Sequence, residues 1–516
     1  MKQYFWALIG AYALTLSHGV KADTLSSDGN TTAVFMQSLS KKPAELLTFL
    51  QNMPKGADLH NHRSGSAYAE NMLSYAIYDN LCFDPKTNSF GKSADCSSHL
   101  QANTLPDNSA SYNTIIDAWS MRHFVPTPQE SAHDHFFNTF YQFDSVRSLY
   151  RAQNLAEIVK RASDENELYL ETMITAEIEK AIALSKQVKW TTDFDSMQKK
   201  MDTAGIGNIV SSIQNELNEN EAYVNQIFQC STKKAQPACD LTVRYQYTAL
   251  RTTSPSAVFA QLLTGFQLAS HDPRVVAVNL VGPEDNYYAL SDYDLQMQMI
   301  NYLHQKYPKV HIDLHAGELT LGLVTPENLS FHIRDAINIA HAERIGHGVD
   351  IAYENNANQL LAEMATKNIP VEVCLTSNAT ILGVSGQQHP LSLLLKSGVP
   401  VVLATDDEGV LRTDLTHEYE RAILSYSLNY STIKAIVRNS LTYNFMPGQS
   451  LWLDSKQFTP VQACARDKLG NSKPSPQCIA FLSHDPKAKL QWKLEAEFAQ
   501  FEKQMTKSYR AQMAVQ

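Results

Sequence analysis

The amino-acid sequence predicts an α/β fold, namely a (βα)8 TIM barrel with loop insertions, an N-terminal helical leader and a C-terminal helical extension. Eight short apolar segments recur along the 516 residues, and segments with helical periodicity lie between most of them. Strands that alternate with helices form βαβ units and a parallel sheet. No Gly-x-Gly-x-x-Gly motif is present, which removes the usual mark of a dinucleotide-binding sheet. Eight such units favour a closed barrel over an open doubly wound sheet.

The strand predictions follow the apolar runs, and the helix predictions follow a 3.6-residue apolar period. The strands are predicted at residues 57–62, 168–174, 241–250, 275–281, 310–315, 344–347, 371–375 and 401–405. The clearest helices between them are predicted at residues 294–307, 331–342, 359–367 and 391–396.

The first 22 residues have the pattern of an export signal. Lys2 supplies a positive charge, residues 5–16 are apolar, and Val20-Lys21-Ala22 offers small residues at the positions that a signal peptidase reads. We therefore expect an exported protein, periplasmic or secreted, and the alternative is an uncleaved anchor. No later segment approaches the ~20 apolar residues of a membrane helix. We expect no stable membrane insertion once the signal is cleaved.

The remaining chain divides into three predicted regions. Residues 23–55 form a leader with one helix at residues 35–53, which Pro54 ends. Residues 56–450 form the barrel, and two stretches near residues 81–113 and 191–240 interrupt its alternation and are predicted to be insertions. Residues 451–516 form an extension that ends in an amphipathic helix at residues 487–513.

Six of the seven cysteines form three pairs of near neighbours in the sequence. The pairs are Cys82 with Cys96, Cys230 with Cys239, and Cys464 with Cys478. Local disulfides of this kind suit an oxidising compartment. Cys374 is left over in the apolar run 371–375, where we expect a buried free thiol.

The overall charge argues against one class of partner. The formal net charge is -10, and the chain has no basic stripe. Nucleic-acid binding depends on such a stripe, so we expect no nucleic-acid partner.

Side chains with metal-binding chemistry stand at the C-terminal ends of the predicted strands, where barrel active sites are built. They are His60, His62, His315, His347, Asp406 and Asp407. Side chains two apart on a strand share a face, so His60 and His62 can hold one ion together. Three histidines and a carboxylate suit one catalytic zinc per chain. Glu318, three residues beyond His315, is placed to move a proton in a metal-assisted hydrolysis.

These positions also have structural alternatives. His60 and His62 could line a polar pocket without a metal, and Asp406-Asp407 could cap a helix. His347 lies between two glycines, which let backbone and substrate come close to it, although a structural role stays open. His133-Asp134-His135 precedes an aromatic helical run and is predicted to pack near the pocket mouth, with a second metal site as the alternative.

The chain resembles the adenosine deaminase family of the metal-dependent amidohydrolases, and most closely its secreted, growth-factor-like and bacterial periplasmic branch. The matching motifs occur in family order over residues 53–445. They are Met53-Pro54-Lys55-Gly56-Ala57-Asp58-Leu59-His60-Asn61-His62, His315-Ala316-Gly317-Glu318, Arg344-Ile345-Gly346-His347-Gly348, Glu372-Val373-Cys374-Leu375-Thr376-Ser377-Asn378, His389-Pro390 and Thr405-Asp406-Asp407.

The resemblance implies a role for each site residue. The family positions that bind zinc match His60, His62, His315 and Asp406. Glu318 matches the residue that handles the proton at the purine ring nitrogen, and His347 matches the residue that orients and deprotonates the attacking water. Asp407 matches the residue that accepts a hydrogen bond at the far side of the purine. Gly282 matches a backbone contact to the base.

Two positions depart from the family pattern. Cytosolic members follow the His-x-His pair with Leu-Asp-Gly, whose aspartate holds the ribose, whereas this chain has Arg63-Ser64-Gly65. Ser64 can still hydrogen-bond a substrate hydroxyl, but without charge, so the sugar preference stays open. Glu408 stands where many relatives carry proline and is expected to be a loop change.

Rival catalytic motifs are absent from the sequence. There is no Cys-x-x-Cys of the other deaminase class, no His-Glu-x-x-His and no Gly-x-Ser-x-Gly. Two-metal amidohydrolases bridge their ions with a lysine at the end of the fourth strand, and residues 275–286 contain none. One metal is therefore expected.

The expected function is zinc-dependent hydrolytic deamination of adenosine and 2′-deoxyadenosine to inosine and 2′-deoxyinosine plus ammonia. One alternative is a deaminase of adenine, a modified adenosine or AMP. Another is a nucleoside-binding or signalling protein that retains the barrel, although a binder would not need both Glu318 and His347. The expected partner is a small-molecule purine nucleoside, and the protein is expected to be a monomer or a homodimer.

Overall fold

Eight parallel strands form the centre of the molecule in the computed structural model, which describes residues 25–91, 96 and 100–514. The strands are Gly56–His62 (β1), Glu167–Ile174 (β2), Thr242–Leu250 (β3), Val275–Val281 (β4), His311–Ala316 (β5), Arg344–His347 (β6), Val371–Val373 (β7) and Val401–Leu403 (β8). Neighbours in the sheet follow chain order. A parallel bridge between Asn61 and Asp406 brings the end of β8 back to β1. The predicted (βα)8 barrel is confirmed.

The barrel strands are buried on both faces, as parallel strands covered by helices are. Every residue of β1, β2 and β4 is buried. Some inward positions are nevertheless polar. Arg344 Nη2 lies 2.6 Å from Glu171 Oε2 and 2.9 Å from Asp313 Oδ2 inside the barrel. This buried polar layer supports the metal-binding side chains described below.

Helices surround the strands and fill the connections between them. They are Ser27–Leu39 (α1), Pro43–Gln51 (α2), Ala69–Tyr78 (α3), Ser109–Ala118 (α4), Ala132–Leu149 (α5), Arg151–Asp164 (α6), Ile178–Ser185 (α7), Phe194–Ala204 (α8), Ile206–Ile227 (α9), Pro255–His271 (α10), Tyr287–Ser291 (α11), Tyr293–Lys306 (α12), His332–Asn338 (α13), Ala357–Lys367 (α14), Leu375–Ile381 (α15), Leu391–Lys396 (α16), Glu408–Leu411 (α17), Leu415–Tyr426 (α18), Tyr430–Thr442 (α19), Pro476–His484 (α20) and Pro486–Met513 (α21). Short 3-10 turns lie at Ala102–Asp107, Pro237–Asp240, Pro326–Leu329, Ile351–Tyr353 and Gly386–Gln388.

The leader differs from its prediction because it contains two helices, α1 and α2, instead of one. Pro43 is the first residue of α2, where its missing N–H costs nothing, but the same proline could not continue α1. The apolar positions that suggested a single helix are shared between the two. The export signal predicted at residues 1–22 lies outside the described residues.

The stretch near residues 81–113 contains a small antiparallel sheet of Cys82–Asp84, Ser89–Gly91 and Leu100–Gln101, followed by α4. The stretch near residues 191–240 consists mainly of α8 and α9. All three predicted disulfides are present, with Cα–Cα distances of 5.4, 5.3 and 4.7 Å in chain order. Cys374 is free and buried, as expected, but it follows β7 instead of lying within it and caps α15.

The C-terminal extension contains a two-stranded sheet of Trp452–Asp454 and Thr459–Pro460, then α20 and α21. Helix α21 packs along α1 and α19, so the two ends of the described chain meet on the outside of the barrel. Within residues 25–514, no helix has both the length and the apolar character needed to cross a bilayer.

Candidate metal centre and active site

The closure of the barrel brings the first pair of histidines to the last strand. Asp406 N donates a hydrogen bond to His60 O at 2.8 Å, and His62 N donates to Asp406 O at 3.0 Å. The backbone of Asp406 has a φ of +64°, a strained conformation for a residue with a side chain. These bonds place the carboxylate of Asp406 beside both imidazoles.

Four side chains converge on one point at the C-terminal end of the barrel. His62 Nε2 lies 3.1 Å from His315 Nε2 and 3.2 Å from Asp406 Oδ1. His60 Nε2 lies 3.8 Å from the same Asp406 oxygen. Ligands at the usual zinc distances of about 2.0–2.1 Å stand roughly 3.3 Å apart in a tetrahedron. The observed separations bracket that value, so these side chains have the spacing of a zinc site.

A second observation supports a metal at this point. His60 Nε2 is buried and has no hydrogen-bond partner. A buried polar atom without a partner is costly unless it binds something else, such as a metal ion. The donor set of three imidazoles and one carboxylate is one that zinc accepts. The residues therefore fit the predicted metal.

Buried side chains fix the orientation of two of the imidazoles. His60 Nδ1 donates to Glu372 Oε2 at 2.7 Å, and His315 Nδ1 donates to Asn279 Oδ1 at 2.9 Å. In both rings this leaves Nε2 with its lone pair facing the metal point. Such partners commonly orient metal-binding histidines. Glu372 is in turn held by Arg344, whose Nε lies 2.7 Å from Glu372 Oε1.

The pKa values of these four side chains favour the binding of a positive charge between them. Burial, followed by the nearby histidines, lowers the pKa of His60 and His315 well below the usual value, so both rings are neutral. Burial opposes the protonation of His62, but the carboxylates of Asp407 and Asp406 outweigh it and raise its pKa to about 9. Burial would raise the pKa of Asp406, yet the hydrogen bond and charge of His62 bring it below the usual value. A metal ion or a proton is therefore attracted to this point.

Glu318 stands at the edge of the metal point on the turn after β5. Gly317, with a φ of +76°, makes that turn, and a Cβ there would meet Asp350 Oδ1 at 2.3 Å. Burial, and then the charge of Asp406, raises the pKa of Glu318 well above that of an ordinary glutamate. The raised pKa favours the protonated form of this carboxyl group, which could then give a proton to a ligand.

His347 is oriented by a chain of hydrogen bonds from outside the barrel. Leu391 N donates to His389 Nδ1 at 3.1 Å, and His389 Nε2 donates to Asn378 Oδ1 at 3.0 Å. Asn378 Nδ2 then donates to His347 Nδ1 at 3.1 Å. This polarity, inferred from the network, leaves the proton of the neutral His347 ring on Nε2. It supports the orienting role predicted for His347, whereas accepting a proton from water would require the other tautomer.

Asp407 occupies the N-cap position of α17, but its side chain makes no cap hydrogen bond. Its Oδ1 is buried without a hydrogen-bond partner, and a Cβ at Gly65 would meet that oxygen at 2.0 Å. Gly65 therefore leaves room for Asp407 beside His62. This free oxygen is available to accept a hydrogen bond from a ligand. The absence of a cap hydrogen bond does not favour the alternative in which Asp406-Asp407 caps a helix.

Two predicted substrate contacts lie on turns near the metal point. Gly282 has a φ of +95°, and its carbonyl oxygen accepts a hydrogen bond from Arg251 Nε at 2.8 Å. Ser64 is half-buried in the turn after β1. The preceding residue, Arg63, is buried and its Nη2 lies 2.8 Å from Glu216 Oε1 of α9. Arg63 thus ties the turn that carries Ser64 to the second insertion.

Glu408 is not a loop change, contrary to expectation. It is the first residue of α17, it is buried, and its Oε1 accepts a hydrogen bond from Arg161 Nη1 at 2.7 Å. A proline could not make this ion pair, and Arg161 would keep only Glu157 and the carbonyl oxygen of Ser66 as partners. Glu408 therefore anchors the segment after Asp406-Asp407 to α6.

The His133-Asp134-His135 run packs near the mouth of the site. His133 Nε2 lies 3.1 Å from Asp285 Oδ1, and the His135 ring stacks on Phe124. His133 lines a cavity of about 590 Å³, together with Thr320 and other residues from the loops after β5, β7 and β8. Among the described residues, neither histidine joins a cluster able to hold a metal.

Comparison with known proteins finds adenosine deaminases among the similar proteins. The adenosine deaminase family model matches residues 210–451, which include His315, Glu318, His347, Asp406 and Asp407. The adenosine deaminase of Pectobacterium atrosepticum is 34% identical over 184 residues, which cover 35% of this chain and 49% of that protein. The chain is similar to the adenosine deaminase family over this region. Its secreted branch remains a prediction.

The chain is also similar to deaminases with other names. The aminodeoxyfutalosine deaminase of Streptomyces avermitilis is 35% identical over 133 residues, covering 26% of this chain and 34% of that protein. The structure of the N6-methyl-AMP deaminase from Arabidopsis thaliana aligns with a TM-score of 0.48 and 20% identity, over 77% of this chain and 94% of that one. The alignments to adenosine deaminases of two Clostridium species span 44% and 59% of those proteins.

Sequence reasoning missed the residues that orient the side chains of this site. Glu372, Asn378 and His389 lie within the motifs that carry the resemblance, but no sequence pattern assigned a contact to them. Asn279 lies in the middle of β4 and is the single polar residue in an apolar run. A polar side chain at a fully buried strand position was the available signal, because such a group needs a partner.

Proposed function

We propose that the chain deaminates adenosine and 2′-deoxyadenosine by hydrolysis, yielding the inosine products and ammonia, with one zinc ion per chain. The observation that carries the proposal is the cluster of three imidazoles and a carboxylate with zinc spacing, with Glu318 Oε1 nearby at 3.8 Å from His347 Nδ1. A metal site with an adjacent proton donor is what hydrolysis of a purine amino group requires.

Each side chain has a proposed task in this reaction. His60, His62, His315 and Asp406 would hold the zinc, which supplies Lewis acidity that makes water acidic at neutral pH. Glu318 would give its proton to the purine ring nitrogen next to the amino-bearing carbon. Asp407, with its free Oδ1, would accept a hydrogen bond from the far side of the base. Nε2–H of His347 would orient the attacking water.

The exact purine is a proposal of its own. Adenosine is supported by the adenosine deaminases among the matching relatives. Aminodeoxyfutalosine is the second candidate substrate, because a protein named aminodeoxyfutalosine deaminase also matches. Ser64 provides an uncharged group where a sugar hydroxyl would be bound, and it leaves the choice between ribose and deoxyribose open.

A direct assay tests the proposal. Purified, zinc-loaded protein is mixed in parallel with adenosine, 2′-deoxyadenosine, adenine and AMP, and the ultraviolet absorbance change of deamination is followed. Turnover of the two nucleosides is the expected result. Turnover of adenine or AMP alone would reject the proposed substrate, and no turnover of any purine would favour the binding or signalling alternative.

The metal is tested separately. Elemental analysis of the wild-type protein should give about one zinc per chain. His60→Ala removes a ligand and should lose most of that zinc. Full zinc content together with full activity in His60→Ala would contradict the assignment.

We also infer that the protein is exported, as a periplasmic or secreted enzyme. Three local disulfides support this, because they persist in oxidising compartments. Fractionation of expressing cells, with an antibody against the chain, tests it. Protein found only in the cytosol would contradict the inference.

A further inference from the structure

Beneath the loops after β3, β4 and β5 lies a buried ion pair that the sequence did not point to. Arg251 follows β3, Glu284 follows β4, and the side chains of both are fully buried. Arg251 Nη1 lies 3.7 Å from Glu284 Oε2. A buried ion pair is weak evidence for stability, since an apolar pair of similar size often serves as well. Its hydrogen-bond partners indicate another purpose.

The guanidinium of Arg251 holds two carbonyl groups of the active site. Its Nε donates to Gly282 O at 2.8 Å, and its Nη1 donates to His315 O at 3.2 Å. Gly282 is the predicted base contact, and His315 is a metal ligand. One planar group therefore fixes the spacing between the two, which a lysine ammonium, as a single point, could not do.

The carboxylate of Glu284 holds the turn that carries the proton donor. Its Oε1 accepts hydrogen bonds from Gly317 N at 3.0 Å and His332 Nδ1 at 2.6 Å. Its Oε2 accepts from Glu318 N at 2.9 Å. The backbone N–H groups of Gly317 and Glu318 lie beyond the end of β5 and have no hydrogen-bond partner on a neighbouring strand. The carboxylate of Glu284 accepts their hydrogen bonds instead. Burial would raise the pKa of Glu284, but the charge of Arg251 and the bond from His332 lower it to about 2.

We propose that the Arg251–Glu284 pair is the positioning device of the reaction. It clamps backbone groups of Gly282, His315, Gly317 and Glu318, so that the base contact, one metal ligand and the proton donor keep a fixed geometry. The proposal rests on the proposed deaminase function for its effect on rate. Its structural part, the clamping of the two amides, stands without that function.

Replacement of Glu284 by glutamine tests the clamp with little change in shape. In either orientation, the new amide NH₂ faces at least one N–H donor, so at least one of the three bonds is lost. Misplacement of a reacting group by about 1 Å can cost on the order of 10² in rate. We expect Glu284→Gln to lower kcat for adenosine about 10²-fold, with a smaller change in KM and unchanged zinc content. Hydrogen exchange at the Gly317 and Glu318 amides should become at least about tenfold faster, because local opening controls their protection.

A matched control distinguishes positioning from general stability. Glu502 is also a buried carboxylate, and it binds Lys434 Nζ at 2.7 Å on the outer helices, away from the metal point. Glu502→Gln should destabilise the protein while leaving kcat and the exchange of the two amides unchanged. Arg251→Lys is the second test variant. Arg251→Lys should lower kcat although the positive charge is retained. This variant tests the positioning role if Glu284→Gln fails to fold.

The outcomes separate the two proposals. If the wild-type protein deaminates adenosine and both Glu284→Gln and Arg251→Lys keep kcat within about threefold, where a misplaced donor should cost far more, the positioning role is overturned. If the wild-type protein deaminates none of the purines, the proposed function fails, and the exchange measurement still decides whether Glu284 holds the turn. Unchanged exchange at Gly317 and Glu318 in Glu284→Gln would refute the clamp.

Discussion

Asp406 and Glu318 are both buried carboxyl groups, yet their pKa values move in opposite directions. Asp406 accepts a hydrogen bond from His62 and is surrounded by imidazoles, which keep its pKa low in spite of burial. Glu318 lacks such a donor and lies near the charge of Asp406, so its pKa is raised. The neighbouring groups therefore determine which carboxyl group has the low pKa of a metal ligand and which has the raised pKa of a proton donor. The positions of the two residues in the sequence do not determine this.

Replacing Glu318 by glutamine tests its role as the acid. The variant keeps the shape and most hydrogen bonds of the side chain but cannot give a proton. General acid–base groups contribute typically ~10²–10⁴ in rate, so adenosine turnover should fall by at least that much. Zinc content should stay at the wild-type level, because Glu318 is not among the proposed ligands. Loss of zinc, or wild-type turnover, would contradict this division of roles.

The dependence of kcat/KM on pH gives a second test at the residue scale. In the proposed reaction the active form carries protonated Glu318, and the raised pKa of this group extends that form to higher pH than for an ordinary glutamate. As the pH rises through the pKa of Glu318, the proton is lost and the rate should fall. The residual activity of Glu318→Gln should lack this alkaline decline. An identical decline in the variant would assign the titration to another group.

At the scale of elements, disulfide bonds constrain segments that lie outside the barrel. One disulfide lies in each of the two insertions, and the third joins the loop before α20 to α20 itself. Each bridge closes a loop of 9 to 14 residues. Such bridges limit the conformations of the unfolded segment that they span.

Thiol counting checks the bridges. Denatured protein that has not been reduced should show one reactive thiol, that of Cys374, because the other six cysteines are paired. Reduced protein serves as the control and should show all seven. Seven reactive thiols before reduction would contradict the three disulfides.

On the scale of the whole molecule, the leader and the C-terminal extension form one layer over the outside of the barrel. Phe501 of α21 packs edge-on against Phe49 of α2, with ring centroids 5.1 Å apart. Lys434 of α19 and Ser26 before α1 both reach the carboxylate of Glu502 on α21. The layer therefore ties segments more than 400 residues apart in the sequence to one another.

Truncation of Phe501 to alanine measures what this layer contributes. Removing a buried aromatic ring costs about 3–5 kcal/mol of unfolding free energy. Denaturant unfolding followed by circular dichroism should show that loss, and kcat below the transition should be unchanged, because the site lies at the barrel end. Met513→Ala, at an exposed position of the same helix, is the control and should change stability by no more than about 0.5 kcal/mol. Equal effects of the two changes would mean that the layer adds little.

Sequence patterns were sufficient to predict the barrel, its strand positions, the disulfide pairs and the residues that meet at the metal point. Apolar runs and helical periods are local properties, and polar residues at the ends of parallel strands must gather at one end of a barrel. Strands β4 and β6 were predicted at their observed bounds. The division of the leader into α1 and α2 was missed, because the apolar period continues past Pro43.

The groups that hold the site in place became apparent only from the folded structure. Glu372 on His60, Asn279 on His315, and the Arg251–Glu284 pair under the loops all join residues from different strands. The buried place of Glu408, which sequence reasoning assigned to a loop, likewise depends on Arg161 of α6. A polar residue within an apolar run of the sequence is expected to be buried and to need a hydrogen-bond partner. Which residue becomes that partner depends on distances in the folded chain, and no local sequence pattern contains this information.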